Sequence, residues 1–367
     1  MSIEFDIRLS DHRTPADERE RLLEDPGFGR LFTDHMITIR WDTENGWHDA
    51  RLEAYAPLTL DPATAVLHYA QELFEGLKAY RRADGSIVAF RPYANAARFN
   101  ASCDRMAMPP LPEETFVRSL ELLVDADRDW VPSQEGHSLY LRPFIIATER
   151  GLGVNRPSSS YLFIVIASPS ASYFTGGTGI KPVSVWLSED YTRAAPGGTG
   201  AAKCGGNYAA AFVAQAQAVR EGCDQVVWLD ANEHRWVEEM GGMNLFFVYG
   251  SGADARVMTP ALTGSLLPGI TRDSLLKLAP DLGVPASEDR ISTDQWREGN
   301  ASGELTEVFA CGTAAVITPV GRVKSAKDEW LVGSGEPGPV TMRLREELVG
   351  VQYGERPDPY GWIHKLA

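Results

Sequence analysis

No apolar run in this 367-residue chain is longer than a strand. The longest, such as Tyr161–Ala167 and Leu245–Tyr249, are far short of the roughly twenty apolar residues that a helix needs to cross a bilayer. A chain of this kind can bury its apolar surface only by stacking many short strands and amphipathic helices in layers. Turn residues separate the runs. Ala83-Asp84-Gly85 lies between Leu77–Arg82 and Ser86–Phe90, a spacing that predicts a hairpin.

The same reading predicts strands at His35–Trp41, Trp47–Tyr55, Leu139–Thr148, Tyr161–Ser168, Val183–Leu187, Gln225–Leu229, Arg235–Met240 and Asn244–Tyr249. Helices are predicted at Tyr93–Met106, around Phe116–Val124, from Tyr208 to Glu221, and from Asp273 to Ala279, where Pro280 is expected to end the last one. An amphipathic stretch surrounds Leu344–Leu348. The first thirty residues look like a leader rather than core. Length predicts two domains, and the Gly-rich segment 171–181 is the expected boundary between residues 1–170 and 182–367. The class is mixed α and β, with mostly antiparallel hints.

Charge narrows the partners. Asp and Glu number 50 against 35 Lys and Arg, a net charge of −15, which argues against nucleic acid or a membrane surface as partner. The cysteines, Cys103, Cys204, Cys223 and Cys311, form neither a CxxC pair nor a zinc spacing, and four in so long a chain is no disulfide framework. No metal site is expected. The polar, acidic N-terminus lacks the pattern of a signal peptide, and the chain reads as cytoplasmic.

Three places invite chemistry. Gly197, Gly198, Gly200, Gly205 and Gly206 surround Lys203, with no other charge between Arg193 and Arg220. An amine in such a setting can lose its proton and serve Schiff-base chemistry. The plain alternative is a solvated lysine on a flexible loop, and on the residues alone it is the default. Leu267–Thr271 leads into a helix, so the amides of Ile270 and Thr271 offer an anion site with Arg272 nearby, or simply an ordinary Pro-Gly helix start. Val237-Glu238-Glu239-Met240-Gly241 places two acids on opposite faces of one strand, and which of them faces inward stays open. Arg98, in an Ala-rich helix, is by default a solvated arginine.

Together with Phe32–Met36, Leu67–Tyr80, Leu139–Pro143, Gly197–Tyr208, Glu239–Asn244, Leu266–Arg272 and Glu307–Ala314, these places resemble, in order and across nearly the whole chain, the branched-chain amino-acid aminotransferases. The resemblance implies an α/β (α+β type) two-domain fold, PLP fold type IV (D-amino-acid aminotransferase-like). It also implies a smaller N-terminal and a larger C-terminal domain, with the cofactor at the domain interface. The implied cofactor is pyridoxal 5′-phosphate, with Lys203 as the lysine that engages its aldehyde and later shuttles the proton. Tyr208 matches the tyrosine at the phenolic oxygen and Glu239 the acid at the pyridine nitrogen. Arg98, Ile270, Thr271 and Thr313 match the phosphate ligands.

For substrate, the resemblance implies an apolar box of Phe28, Phe74, Tyr140, Tyr173 and Gly242, with Leu152 and Val154 supplied by a neighbouring subunit of a homodimer. Tyr69, Thr313 and Ala314 match the α-carboxylate contacts, and Arg142 with Tyr140 is the expected receiver of the glutamate side chain. For each aromatic, core packing is the plain alternative. The implied reaction moves the amino group of L-leucine, L-isoleucine or L-valine to 2-oxoglutarate. A D-amino-acid aminotransferase or an aminodeoxychorismate lyase is the alternative within the fold, and a silent cofactor-binding protein the alternative outside catalysis. Ala315 and Thr318 stand where some relatives carry a CxxC pair, so no thiol switch is expected there.

Overall fold

The structure is a computed structural model, and it describes residues 3–171 and 180–367. The expected boundary segment 171–181 falls almost wholly outside the described residues, as does Tyr173. Two compact units are present, and they are not contiguous in sequence. The first comprises residues 1–173, 202–205 and 351–367, and the second comprises 174–201 and 206–350.

The first unit is built on a mostly antiparallel sheet of nine strands among the described residues. Its strands are β1 (Phe5–Ile7), β2 (His35–Asp42), β3 (Gly46–Ala54), β4 (Glu72–Phe74), β5 (Leu77–Arg81), β6 (Ile87–Phe90), β7 (Ser138–Ala147), β8 (Ser160–Ser170) and the C-terminal strand Ile363–Lys365. Their order is β1-β3-β2-β8-β7-β5-β6 and then the C-terminal strand, with β4 added beside β7. The longest ladder, β7 on β8, runs from Ser138 opposite Ser170 to Ala147 opposite Tyr161. The helices of the described residues are α1 (Ala16–Glu24), α2 (Val66–Tyr69), α3 (Pro92–Arg105), α4 (Glu113–Ala126), α5 (Gly205–Ala209), α6 (Phe212–Arg220), α7 (Ile270–Asp281), α8 (Thr293–Ser302) and α9 (Pro339–Tyr353). Of these, α3 and α4 cover one face of this sheet. Phe99, Phe116 and Phe163 pack ring against ring between helices and sheet.

The N-terminal residues are part of this unit rather than a leader. Strand β1 pairs in parallel with β3, and Leu23 joins the core. The Ser10 amide donates to Nε2 of buried His35, and the Thr14 amide and hydroxyl both donate to Asp34. Apolar periodicity misses such anchoring because the bonds come from backbone amides.

The second unit contains a closed ring. Its strands are β9 (Val183–Ser188), β10 (Gln225–Leu229), β11 (Val237–Met240), β12 (Met243–Tyr249), β13 (Arg256–Pro260), β14 (Ala286–Asp289), β15 (Leu305–Gly312), β16 (Val316–Lys324) and β17 (Glu329–Leu331). The order is β11-β10-β9-β16-β15-β12-β13-β14, and β11 also pairs with β12, which closes six strands into a barrel. Val185, Val227, Leu229, Leu245, Phe247, Val308, Ala310 and Val323 belong to one buried cluster, and Trp296 packs edge-on against Phe247. A reciprocal Ser292–Gln295 capping box starts α8 (Thr293–Ser302), and left-handed Gly303 ends it. The helix α7 (Ile270–Asp281) starts three residues earlier than expected and runs past Pro280, which sits in its last turn.

Two segments depart from the division expected at 171–181. Ala202–Gly205 joins the first unit because the Phe74 amide donates to the Lys203 carbonyl, the Lys203 amide to Ser102 Oγ, and the Gly205 amide to Glu72. Val351–Ala367 joins it because Ile363–Lys365 pairs with β6. The first unit is thereby the longer of the two.

Candidate active site

In the first unit, Lys203 is the centre of one group. Three hydrogen bonds hold its backbone segment to β4 and α3: its amide to Ser102 Oγ at 3.1 Å, its carbonyl from Phe74 at 3.0 Å, and Gly205 to Glu72 Oε1 at 2.7 Å. A Cβ at Gly205 would stand 1.9 Å from that Glu72 oxygen, so a larger residue there would push the Glu72 carboxylate aside. Ala202 and Cys204, on either side, are buried in the core, and Lys203 itself is half-buried. This is not the solvated loop lysine of the default reading. Its Nζ lies 5.0 Å from the centre of the Phe74 ring.

The Phe74 ring also carries Arg142, whose guanidinium carbon is 4.7 Å from the ring centre. Arg142 donates to the Tyr140 hydroxyl at 3.1 Å, and Phe28 meets Tyr140 edge-on at 5.1 Å. Phe28, Phe74, Tyr140 and Arg142 are thus one contiguous group with Lys203. The Arg142 Nε is buried without a hydrogen-bond partner, an arrangement that suits an incoming carboxylate. Glu72 has a carboxyl held above its usual value by burial, an effect that the Gly205 amide and Arg142 only partly offset.

Arg98 is not a solvated arginine. Its side chain is 9% exposed and makes a bidentate pair with Glu75, Nε to Oε1 and Nη2 to Oε2, both at 2.8 Å. Glu75 is a residue that the sequence reading passed over, although it lies within the Leu67–Tyr80 string. Its only sequence signal is a lone acid between Phe74 and Gly76 at the end of a strand. Tyr69 stands apart, half-exposed, with its hydroxyl donating to the Leu152 carbonyl at 2.6 Å. Leu152 and Val154 are exposed at 62% and 71%, well outside the core of their own chain.

The second unit brings together a different group. Both Glu238 and Glu239 are buried, which settles the open question about β11: neither acid faces solvent. Glu239 Oε2 pairs with Arg193 at 2.7 Å, and Oε1 accepts from the Leu267 amide at 2.6 Å and from Asn244 Nδ2 at 3.2 Å. Arg193, absent from the sequence candidates, also donates to the Ser265 carbonyl. Glu238 accepts from Ser265 Oγ, and burial raises its carboxyl above the usual value.

The loop tied down by these acids leads into α7. Gly269 caps that helix through backbone alone, with no side-chain cap, so Ile270 and Thr271 open it with amides set for an anion. A Cβ at Gly269 would lie 2.0 Å from Asn244 Oδ1. Arg272 does not add free charge here. It is buried, paired with Glu288, and donates to the Pro260 carbonyl. Tyr208 lies in α5 (Gly205–Ala209), and a Cβ at Gly242 would meet its ring at 3.4 Å. Thr313 and Ala314 form the turn after β15, which pairs with β12 next to Asn244.

Among the described residues no cluster of His, Cys, Asp and Glu is suited to a metal, and no helix is long and apolar enough to cross a membrane. All four cysteines are free and buried.

Known proteins resemble this chain throughout. Residues 72–323 match the family described as amino-transferase class IV. A probable branched-chain-amino-acid aminotransferase of Streptomyces coelicolor is 60% identical over 364 residues, 99% of each chain. The solved Escherichia coli branched-chain amino acid aminotransferase superposes with a TM-score of 0.75 at 29% identity, over 91% of this chain and 99% of that one. A branched-chain amino acid aminotransferase of T.th., solved with pyridoxamine 5′-phosphate, gives 0.72 at 29% identity, over 90% and 98%. These likenesses do not favour a D-amino-acid aminotransferase or an aminodeoxychorismate lyase. The chain belongs to the class IV aminotransferases, with the mixed α/β fold of PLP fold type IV, and within them to the branched-chain-amino-acid aminotransferases.

Proposed function

We propose that this chain transfers the amino group of L-leucine, L-isoleucine and L-valine reversibly to 2-oxoglutarate, with pyridoxal 5′-phosphate as cofactor. The observation that carries the reading is the end-to-end likeness to branched-chain aminotransferases. The donor set fits the cofactor. A buried carboxylate held by Arg193 suits a protonated ring nitrogen, and a helix start without a side-chain cap suits a phosphate. A half-buried lysine beside an aromatic ring suits an aldehyde.

When bound, the cofactor supplies an aldehyde for the substrate amine and a ring that takes up electrons. Lys203 Nζ is the nucleophilic amine at that aldehyde. The same nitrogen, once free, would be the base that takes the proton from the substrate α-carbon and holds it for return. Glu239 would keep the ring nitrogen protonated, and Tyr208 would hydrogen-bond the phenolic oxygen. Arg98 in the first unit, and the amides of Ile270 and Thr271 with Thr313 in the second, are the groups that would bind the phosphate.

Phe28, Phe74, Tyr140, Gly242, Leu152 and Val154 form the apolar box, with Tyr173 outside the described residues. Tyr69, Thr313 and Ala314 hold the α-carboxylate. Arg142, supported by Tyr140, takes the side-chain carboxylate of glutamate. The exposure of Leu152 and Val154 supports their delivery to a partner subunit of a homodimer. We place the reaction in the cytoplasm.

The test is the visible spectrum of the purified protein, alone and with excess L-leucine. The expected result is a yellow band that L-leucine shifts, absent in Lys203→Ala. A band that ignores L-leucine but answers a D-amino acid would point to the D-amino-acid aminotransferase instead. No band after adding the cofactor would overturn the catalytic reading.

A further inference from the structure

Glu75 is fully buried, yet the roles above leave it unused. Its Oε1 accepts from Arg98 Nε at 2.8 Å. Its Oε2 accepts from Arg98 Nη2 at 2.8 Å, Asn95 Nδ2 at 2.8 Å and the Gly76 amide at 3.1 Å. Burial pushes its carboxyl up, but the charge and hydrogen bonds of Arg98 and the charge of Lys203 outweigh that and leave it below the usual value. One buried carboxylate thus balances two cations, both of which the proposed function assigns to the cofactor.

A carboxylate beside a phosphate-binding arginine offsets positive charge that the phosphate would otherwise use. Its return is geometric. A guanidinium held on one edge by a bidentate pair cannot swing, so its remaining N–H groups meet an anion in a fixed direction. The pair takes the Nε–Nη2 edge of the guanidinium.

We propose that Glu75 is a positioning residue that aims Arg98 at the cofactor phosphate. The proposal rests on the reading of Arg98 as a phosphate ligand. The hydrogen bonds of Glu75 go to Arg98, Asn95 and the Gly76 amide, so among the groups assigned to the cofactor it is Arg98 that it holds directly, while it reaches Lys203 only through its charge. Losing the pair therefore weakens recognition of the phosphate group rather than of the pyridine ring.

The experiment compares pyridoxal 5′-phosphate with pyridoxal, which lacks the phosphate. Dissociation constants of both are measured by absorbance titration of the full-length apoenzyme, as wild type, Arg98→Gln, Glu75→Gln and the double variant. Glu75→Gln is expected to weaken pyridoxal 5′-phosphate by roughly ten- to hundredfold, the size of one charge-assisted hydrogen bond, and pyridoxal by less than about threefold. The double variant is expected to be no worse than Arg98→Gln, since both remove the same contact.

If Arg98→Gln does not discriminate the two ligands, the reading of Arg98 fails. If Arg98→Gln discriminates but Glu75→Gln weakens both ligands equally or neither, the inference is overturned. Should Glu75→Gln not fold, Glu75→Asp keeps the charge on a side chain one carbon shorter. It is expected to show a smaller loss selective for the phosphorylated ligand, and wild-type affinity for both ligands would overturn the proposal.

Discussion

Arg193 Nη2 stands 2.7 Å from Glu239 Oε2, with both side chains nearly buried. Removing the guanidinium leaves a buried carboxylate without its cation, although Leu267 and Asn244 still donate to it. Breaking one side of a buried pair costs about 3–5 kcal/mol. Arg193→Gln is expected to lose that much in denaturant unfolding and to hold the cofactor less tightly. A loss below about 0.5 kcal/mol, the range of a neutral surface change, would show that the pair contributes no stability.

Gly76 tests the glutamate side of the pocket. A Cβ there would fall 1.9 Å from the Tyr140 hydroxyl, which accepts from Arg142. Gly76→Ala must therefore move the Tyr140 tip and give up that bond, which is worth about 1.5–3 kcal/mol for a charged donor. The expected result is a KM for 2-oxoglutarate raised about tenfold or more, with the KM for L-leucine changed less. Equal changes in both would argue against Arg142 as the receiver of the glutamate side chain.

All four thiols are buried, and burial lifts the Cys103 thiol to about 12 and pushes Cys311 up as well. A buried thiol of that kind forms little thiolate near neutrality. Iodoacetamide at pH 8 is expected to label none of them in the native protein and all four after denaturation, as counted by mass spectrometry. Rapid native labelling of Cys204 would show that the segment beside Lys203 opens readily.

Acid should loosen the root of the loop that carries Leu152 and Val154. Both Glu149 oxygens accept from Arg156, and Oε2 also accepts from the Ser159 amide. The Arg156 and Ser159 hydrogen bonds bring the Glu149 carboxyl from its usual 4.5 down to about 2. A carboxyl lowered on folding adds stability above its unfolded value and loses it as pH falls through the folded one. The contribution is therefore intact above about pH 4.5 and gone near pH 2. Glu149→Gln should flatten the acid limb of the stability profile in that window, and an unchanged limb would assign acid sensitivity elsewhere.

The sequence marked most strands to within a residue or two, because alternation and turn residues are local signals. Strands β13 to β17 went unmarked. Their residues, such as Arg256–Pro260 and Glu329–Leu331, show no clean alternation of apolar and polar positions, so the local signal that marks the other strands is missing. Lys203 was visible as a lone charge among glycines, whereas its stitching to Ser102, Phe74 and Glu72 was not. Those bonds join residues about a hundred or more positions apart. Arg193 and Glu75 were invisible for a related reason. A buried charge looks like any surface charge until its partner is placed beside it.

The closed ring of β11, β10, β9, β16, β15 and β12 bears on how Glu239 fluctuates. A strand at an open edge can peel away by giving up one ladder, but β11 is bonded on both sides, to β10 and to β12. Peeling it would break both ladders and expose Met240 and Val237 to water. Openings that release the Glu239 backbone should therefore cost nearly as much as unfolding the whole unit, and amide exchange at Met240 should be among the slowest in the chain. The acid is held still by the topology of its strand as much as by its neighbours.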